Sequence, residues 1–267
     1  MTTRLKRLLI LAGLLLCAGP AWAQCSSTAY GSFTCVQSCH NDKFTTTTVT
    51  CAFGSNLTSG SFIYVAGANL SNATSTLSFS GCSLTWTTLD APAMSTGSGA
   101  HGSAPNSSTA ACTITLTSTG SNATLEVIAV EIGGTNQTVD KHSMSETGVI
   151  GSGTNFSGTS ITTTVNGDLV MMFAAGVNVT GDTFTAGSGT IMVQTTAAGE
   201  AIQGQVQSTA GAINPTMSSN KGSEVYIVGN VAFEPSGGAA APKGIQKKKK
   251  LEKLDGWFAN ARSGRIR

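Results

Sequence analysis

Charge is scarce in this sequence: only 10% of its 267 residues are Asp, Glu, Lys or Arg. That excludes a coiled coil, a charged helical bundle and a highly charged disordered chain. Aromatic residues reach 6% and prolines number 6. Past the first 23 residues, no apolar run approaches the roughly 20 residues a membrane-crossing helix needs, which excludes a multi-pass helical topology. No Arg occurs between positions 24 and 235, where Lys43, Lys141 and Lys221 stand against eleven acids, a net −8. Such a surface repels nucleic-acid phosphates, so no nucleic-acid partner is expected for this stretch. Nor does any stretch pair a 3.6-residue apolar period with strong helix formers.

What is present is divided by position. Residues 1–23 carry +3 and residues 236–267 carry +7, flanking the acidic centre. Arg4, Lys6 and Arg7 precede an apolar run from Leu8 to Cys17, and Ala21-Trp22-Ala23 offers small residues for cleavage after Ala23. That layout predicts a secretory signal peptide over 1–23 and a secreted, periplasmic or cell-surface location. A membrane anchor would need a longer run than this one, which Gly19-Pro20 interrupts. A lipoprotein signal would use Cys17, where Leu16 replaces the small residue expected before it.

Beyond that segment stand Cys25, Cys35, Cys39, Cys51, Cys82 and Cys112, an even set that reads as disulfides in an exported chain. Fifteen connectivities are formally open. In Val49-Thr50-Cys51-Ala52-Phe53 the cysteine shares a strand face with Val49 and Phe53. By the same parity Cys82 aligns with Leu84 and Trp86, and Cys112 with Ile114 and Leu116. The favoured pairing is Cys82–Cys112, followed by Cys39–Cys51 and Cys25–Cys35. The metal alternative at Cys35-x3-Cys39-His40 lacks a second ligand cluster.

Short β-branched runs separated by Gly, Asn and Ser predict strands near 44–53, 61–67, 75–79, 83–88, 111–117 and 124–132. A second series is predicted near 159–165, 168–175, 190–194, 201–207 and 224–233. The expected fold is an all-β antiparallel sandwich, jelly-roll-like or Ig-like, over residues 24–235. Phe62-Ile63-Tyr64-Val65 and Leu169-Val170-Met171-Met172 are apolar on both faces, as central strands would be. Thr58-Ser59-Gly60-Ser61-Phe62-Ile63 resembles Val165-Asn166-Gly167-Asp168-Leu169-Val170, a weak internal duplication. Two similar halves suit a sandwich in which each half supplies strands to both sheets. A parallel β-helix is the alternative, though it needs a shorter and stricter repeat.

The order Val36-Gln37, Thr47-Thr48-Val49-Thr50, Thr58-Ser59-Gly60, Val130-Glu131-Ile132-Gly133, Thr162-Thr163-Thr164, Gly167-Asp168-Leu169-Val170 and Val231-Ala232-Phe233 resembles an exported β-sandwich module. That module is common in environmental bacteria, Acidobacteria among them, often beside Ig-like or PKD-like domains, and the resemblance spans roughly residues 33–235. It implies an exported sandwich without assigned catalytic residues. Members usually carry an Asp-x-x-Gly-Asn-x-Tyr turn, where this chain has Ser80-Gly81-Cys82-Ser83-Leu84-Thr85-Trp86. Nothing attached to that Asp and Asn carries over.

Motifs for catalysis are few. His40, His101 and His142 lie in no recognisable catalytic or metal motif, and His101 sits in a Gly/Ser/Asn stretch that reads as a surface loop. Glu126 and Glu131 are five apart, which puts them on opposite faces of one strand, so they form no glycosidase dyad. No catalytic residue, metal ligand or cofactor is therefore assigned. Sugar binding would use exposed aromatics, and the candidates are Tyr30, Tyr64, Trp86 and Tyr226; core packing is the reading their apolar contexts favour. The loop acids Asp90, Asp140 and Asp182 have no calcium-site spacing.

After a flexible linker over 236–246 comes a basic tail over 247–267. Lys247, Lys248, Lys249 and Lys250 precede an amphipathic pattern that includes Trp257 and Phe258. The tail is a candidate anchor to anionic envelope polymers or lipid, a candidate ligand for the module's own acidic surface, or a solvated extension. The expected function is a non-catalytic structural or interaction module of the cell envelope or extracellular space. A carbohydrate-binding or adhesive module and an extracellular filament subunit are the alternatives.

Overall fold

The computed structural model describes residues 25, 28–120, 123–177, 181–197 and 199–237. The expected signal peptide, nearly all of the linker and the basic tail with Lys247–Lys250, Trp257 and Phe258 lie outside the described residues. Nine strands come from the first half: β1 (Thr28–Tyr30), β2 (Phe33–Thr46), β3 (Thr48–Ala52), β4 (Phe62–Asn69), β5 (Leu77–Gly81), β6 (Thr87–Asp90), β7 (Ser98–Pro105), β8 (Thr113–Ser118) and β9 (Ala123–Gly133). The second half supplies β10 (Thr135–Glu146), β11 (Asn155–Phe156), β12 (Ile161–Thr162), β13 (Asp168–Gly176), β14 (Phe184–Ala186), β15 (Thr190–Thr195), β16 (Glu200–Gln207), β17 (Ala212–Ile213), β18 (Met217–Ser219) and β19 (Tyr226–Pro235). Pairing is antiparallel throughout the described strands, and the fold is an all-β sandwich.

The duplication governs the architecture. The first half builds a sheet ordered β1-β2-β9-β4-β7-β6 and the second a sheet ordered β10-β19-β13-β16-β15. Without β1, these are one order repeated in chain sequence. The small sheets repeat as well, β3-β8-β5 and β11-β18-β14, and the second half adds β12-β17. Register makes the equivalence residue by residue. Phe62 lies between Ile132 and Pro105, as Leu169 lies between Phe233 and Val206. Bulges recur too: Thr88/Asp90 matches Ile191/Val193, and Cys35/Gln37 matches Val139/Lys141. The weak likeness of 58–63 to 165–170 falls in this register, with Gly60 and Gly167 both at φ +84°.

Each half therefore builds its own large and small sheets, which corrects the expectation that both halves feed both sheets. Short connections favour pairing within a half, because closing a loop across the whole chain costs more entropy. The two large sheets then stack face to face. Phe62, Tyr64, Ile128, Val130 and Ile132 of one meet Leu169, Met171, Phe173, Val231 and Phe233 of the other. On the far side of the first sheet, Ile63, Val65, Val127 and Ala129 cover Val49, Ile114 and Leu116. On the far side of the second, Met172, Ala174 and Val228 cover Phe156, Phe184 and Met217. Four layers result. Strands β4 and β13 are buried on both faces, which is why their sequences are apolar without alternation.

Disulfides join Cys25–Cys35, Cys39–Cys51 and Cys82–Cys112. Cys51 and Cys112 are buried as strand parity predicts, but Cys82 is only half-buried. It sits in a turn where Gly81, Cys82 and Ser83 all have positive φ, so the strand predicted from 83 begins only at Thr87.

Candidate functional site

β6 is an edge of the first large sheet and β10 an edge of the second, and the two edges meet along a seam. Three strands place chemistry there: Asp90 ends β6, His101 lies opposite it on β7, and His142 comes from β10. Both rings reach one carboxylate oxygen. His101 Nε2 lies 2.9 Å and His142 Nδ1 2.7 Å from Asp90 Oδ2. The far nitrogen of His101, Nδ1, lies 3.1 Å from the Tyr64 hydroxyl on β4. The rings of His101 and His142 meet edge to face at 6.0 Å.

Burial grades this cluster. The His101 side chain is 0% exposed, Asp90 30% and His142 37%, so the inner ring is sealed while solvent reaches the outer pair. Burial holds the His101 ring below the usual histidine pKa, outweighing the upward pull of Asp90. Burial would lift Asp90, but the hydrogen bonds and charges of both histidines bring it below the ordinary carboxylate range. Burial, then the Asp90 charge, pushes the Tyr64 phenol up. Asp90 is thus an anion beside a neutral His101. An anion has no proton to give, so Nε2 donates to Asp90 and Nδ1 accepts from Tyr64.

Close backbone approach makes the room. A Cβ on Gly229 of β19 would stand 3.2 Å from His101 Nδ1 and 3.6 Å from the Tyr64 oxygen. The duplication supplies a control within the molecule. By register, the counterparts of Asp90, His101 and His142 are Val193, Ile202 and Ser38, and Met171 stands for Tyr64. Val193, Ile202 and Met171 are ordinary core residues. The fold closes one seam with Val193, Ile202 and Met171 beside the small polar Ser38, and the other with an Asp–His–His–Tyr chain.

The seams differ in a second way. At the closed one, β1 extends the edge of β2, Tyr30 and Cys25 join the core, and Gly31 lies against Val206. At the open one lies a groove of about 310 Å³ lined by Phe62, Thr87, Leu89, Ser103, Pro105, Gln137, Thr138 and Val139. Ser103 and His101 are on one face of β7, so the groove runs toward the cluster.

Sequence reasoning missed this site. The 98–105 stretch reads as a Gly/Ser loop, yet it is a strand buried along nearly its whole length, and His101 is not a surface residue. Its small residues suit close packing: a Cβ on Gly102 would meet Thr87 O at 3.0 Å and Phe79 at 3.1 Å. His142 lies within β10, a polar strand with no alternating pattern. Of the loop acids, Asp140 bonds Thr164, and Asp182 bonds Ser219 and Tyr226, so only Asp90 joins the cluster. Glu126 and Glu131 do take opposite faces of β9, and Glu131 accepts from Gln37 Nε2 and Thr58 N, each at 2.6 Å. Tyr30, Tyr64 and Tyr226 are buried; Trp86 is half-buried and donates to Gly81 O at 3.2 Å.

Two imidazoles and a carboxylate can hold a divalent ion or share a proton along the Tyr64–His101–Asp90–His142 line. No protein-family model matches this chain, and no curated protein and no solved structure matches it.

Proposed function

We propose that this chain is an exported structural or interaction module of the cell envelope or extracellular space, and that its contact face is the open seam between β6 and β10. The observation that carries the reading is the unequal treatment of two like seams. The edge of β2 that receives β1, Phe33–Cys35, corresponds by register to Thr135–Val139 of β10, a bulged stretch of which Gln137, Thr138 and Val139 line the groove. An extended polypeptide segment added to β10 would complete the open seam as β1 completes the other. Such strand addition takes affinity from main-chain hydrogen bonds and specificity from alternate side chains. The three cystines fit an oxidising compartment and so support the exported part of the reading.

Thr87 is exposed and lines the groove, so Thr87→Trp fills it without disturbing the core. Purified protein is expected to retain an envelope or extracellular polypeptide that the Thr87→Trp variant releases. Deleting residues 243–267 should leave that capture intact. Loss of capture on tail deletion alone, with release from anionic vesicles as salt rises, would move the contact to the basic tail. Binding of one glycan class on an array would replace the reading with a carbohydrate-binding module, and regular fibres in concentrated protein with a filament subunit.

A further inference from the structure

The inner end of the same seam carries a property independent of what docks in the groove. We propose that Asp90, His101 and His142 form a binding site for a divalent transition ion, with Zn(II) as the reference probe. Two imidazole nitrogens and one carboxylate oxygen would hold it, and the remaining coordination would open toward solvent.

Geometry is the first support. Each residue offers one donor atom, and the three atoms lie within 4.8 Å of one another. Donors around a tetrahedral ion with bonds near 2.0–2.1 Å stand about 3.3 Å apart. The two ring nitrogens already lie 2.9 and 2.7 Å from the Asp90 oxygen, so each contact has to open by about half an ångström. Asp90 and His142 are on edge strands and half-exposed, which lets them supply that movement. His101 is the fixed point.

The second support is the outer partner of His101. A metal-bound histidine is oriented by a hydrogen bond at its other nitrogen. Tyr64 provides one and suits both states. Its hydroxyl donates to Nδ1 while Nε2 serves Asp90; once Nε2 gives its lone pair to an ion, Nδ1 carries the hydrogen and the Tyr64 oxygen accepts. The ring stays neutral in both, so no net proton has to leave it.

The third support is the internal control. The positions matching Asp90, His101 and Tyr64 hold Val193, Ile202 and Met171, so the fold does not require polar groups at those three places; only His142 has a polar counterpart, Ser38. Sealing an imidazole and a phenol where aliphatic side chains serve costs stability. A ligand that uses them supplies the reason for that cost. Two nitrogen donors against one oxygen favour Zn(II), Cu(II), Ni(II) or Co(II) over the oxygen-seeking Ca(II) and Mg(II). The surrounding −8 of residues 24–235 attracts any cation.

The test is titration of Zn(II) into full-length protein, made without a histidine tag and stripped with chelator, followed by calorimetry and elemental analysis. One ion per chain is expected, with a dissociation constant at or below the micromolar range. His142→Ala and Asp90→Asn should each weaken binding at least tenfold while circular dichroism stays that of the parent. Tyr64→Phe should weaken it by about tenfold, as loss of an outer-shell partner does. Ring-nitrogen NMR signals of His101 and His142 should move on binding, and those of His40 should not. Absence of stoichiometric binding, equal affinity in the His142→Ala and Asp90→Asn variants, or movement confined to His40 would each overturn the site. None of these readouts depends on a polypeptide in the groove, so failure of one proposal leaves the other standing.

Discussion

Glu126 on β9 and Glu200 on β16 are fully buried carboxyls that feel each other's charge across the central interface, where the register-equivalent pair is Ile227 and Gly99. One oxygen of Glu126 and both of Glu200 lack a hydrogen-bond partner. Burial pushes both carboxyls well above the ordinary value of 4.5; the charges of Glu200 and Asp42 push Glu126 further, and that of Asp42 pushes Glu200. The folded chain thus keeps protons that the unfolded chain releases. Stability from this pair is complete below pH 4.5 and is lost as pH rises toward the folded-state values. Glu200→Gln, a neutral isostere, should flatten that decline and gain about 1 kcal/mol or more at pH 8. Urea unfolding of both proteins between pH 4.5 and 8 checks this; parallel curves would show that the pair is ionised or solvated. Nothing in the sequence announced the pair, because burial of Glu126 comes from β16, more than seventy positions away. The Asp90–His101–His142 cluster was illegible for the same reason. Its members are 11 and 41 positions apart, and no local motif spans three strands.

Among the strands, legibility followed side-chain size. β4 and β13 were readable because a strand covered on both faces must be apolar on both, and their large aliphatic and aromatic residues say so. β7 is buried as thoroughly but is built from Ser, Gly and Ala around one histidine, a composition that also makes loops. The smallness answers contacts the sequence does not show: a Cβ on Gly99 would meet Ile227 at 2.6 Å. Strand parity made the buried Cys51 and Cys112 readable but failed at Cys82, whose link to Cys112, with a separation of 30, ties the turn after β5 to the start of β8. In the chain-entropy picture that closure is worth about 3–4 kcal/mol. Replacing both residues with Ala should lower the melting temperature by roughly 10 °C, measured by scanning calorimetry without reductant. An unchanged midpoint would mean that the β3-β8-β5 sheet holds that turn by itself.

At the scale of the whole molecule, the halves share one interface rather than one sheet. Residues 24–134 alone would expose Phe62, Tyr64, Ile128, Val130 and Ile132, an apolar face that is covered in the full chain. Expressed separately, each half should aggregate or remain loosely packed, whereas co-expressed halves should copurify as a one-to-one complex. Gel filtration and near-UV circular dichroism distinguish the outcomes, and a well-packed isolated half would show the interface to be dispensable. The repeat itself was faintly legible as six residues matched with six, since little survives besides Gly60 and Gly167, both left-handed, and the apolar start of each central strand.

All three cystines lie between Cys25 and Cys112, whereas the second half contains no cysteine. Two domains of one topology thus answer to different conditions, one finished by sulfur oxidation and the other by packing alone. Reduction should therefore loosen the amino-terminal copy first, and with it the face on which its partner packs. Oxidation would act as a latch, closing the first copy and through it the second.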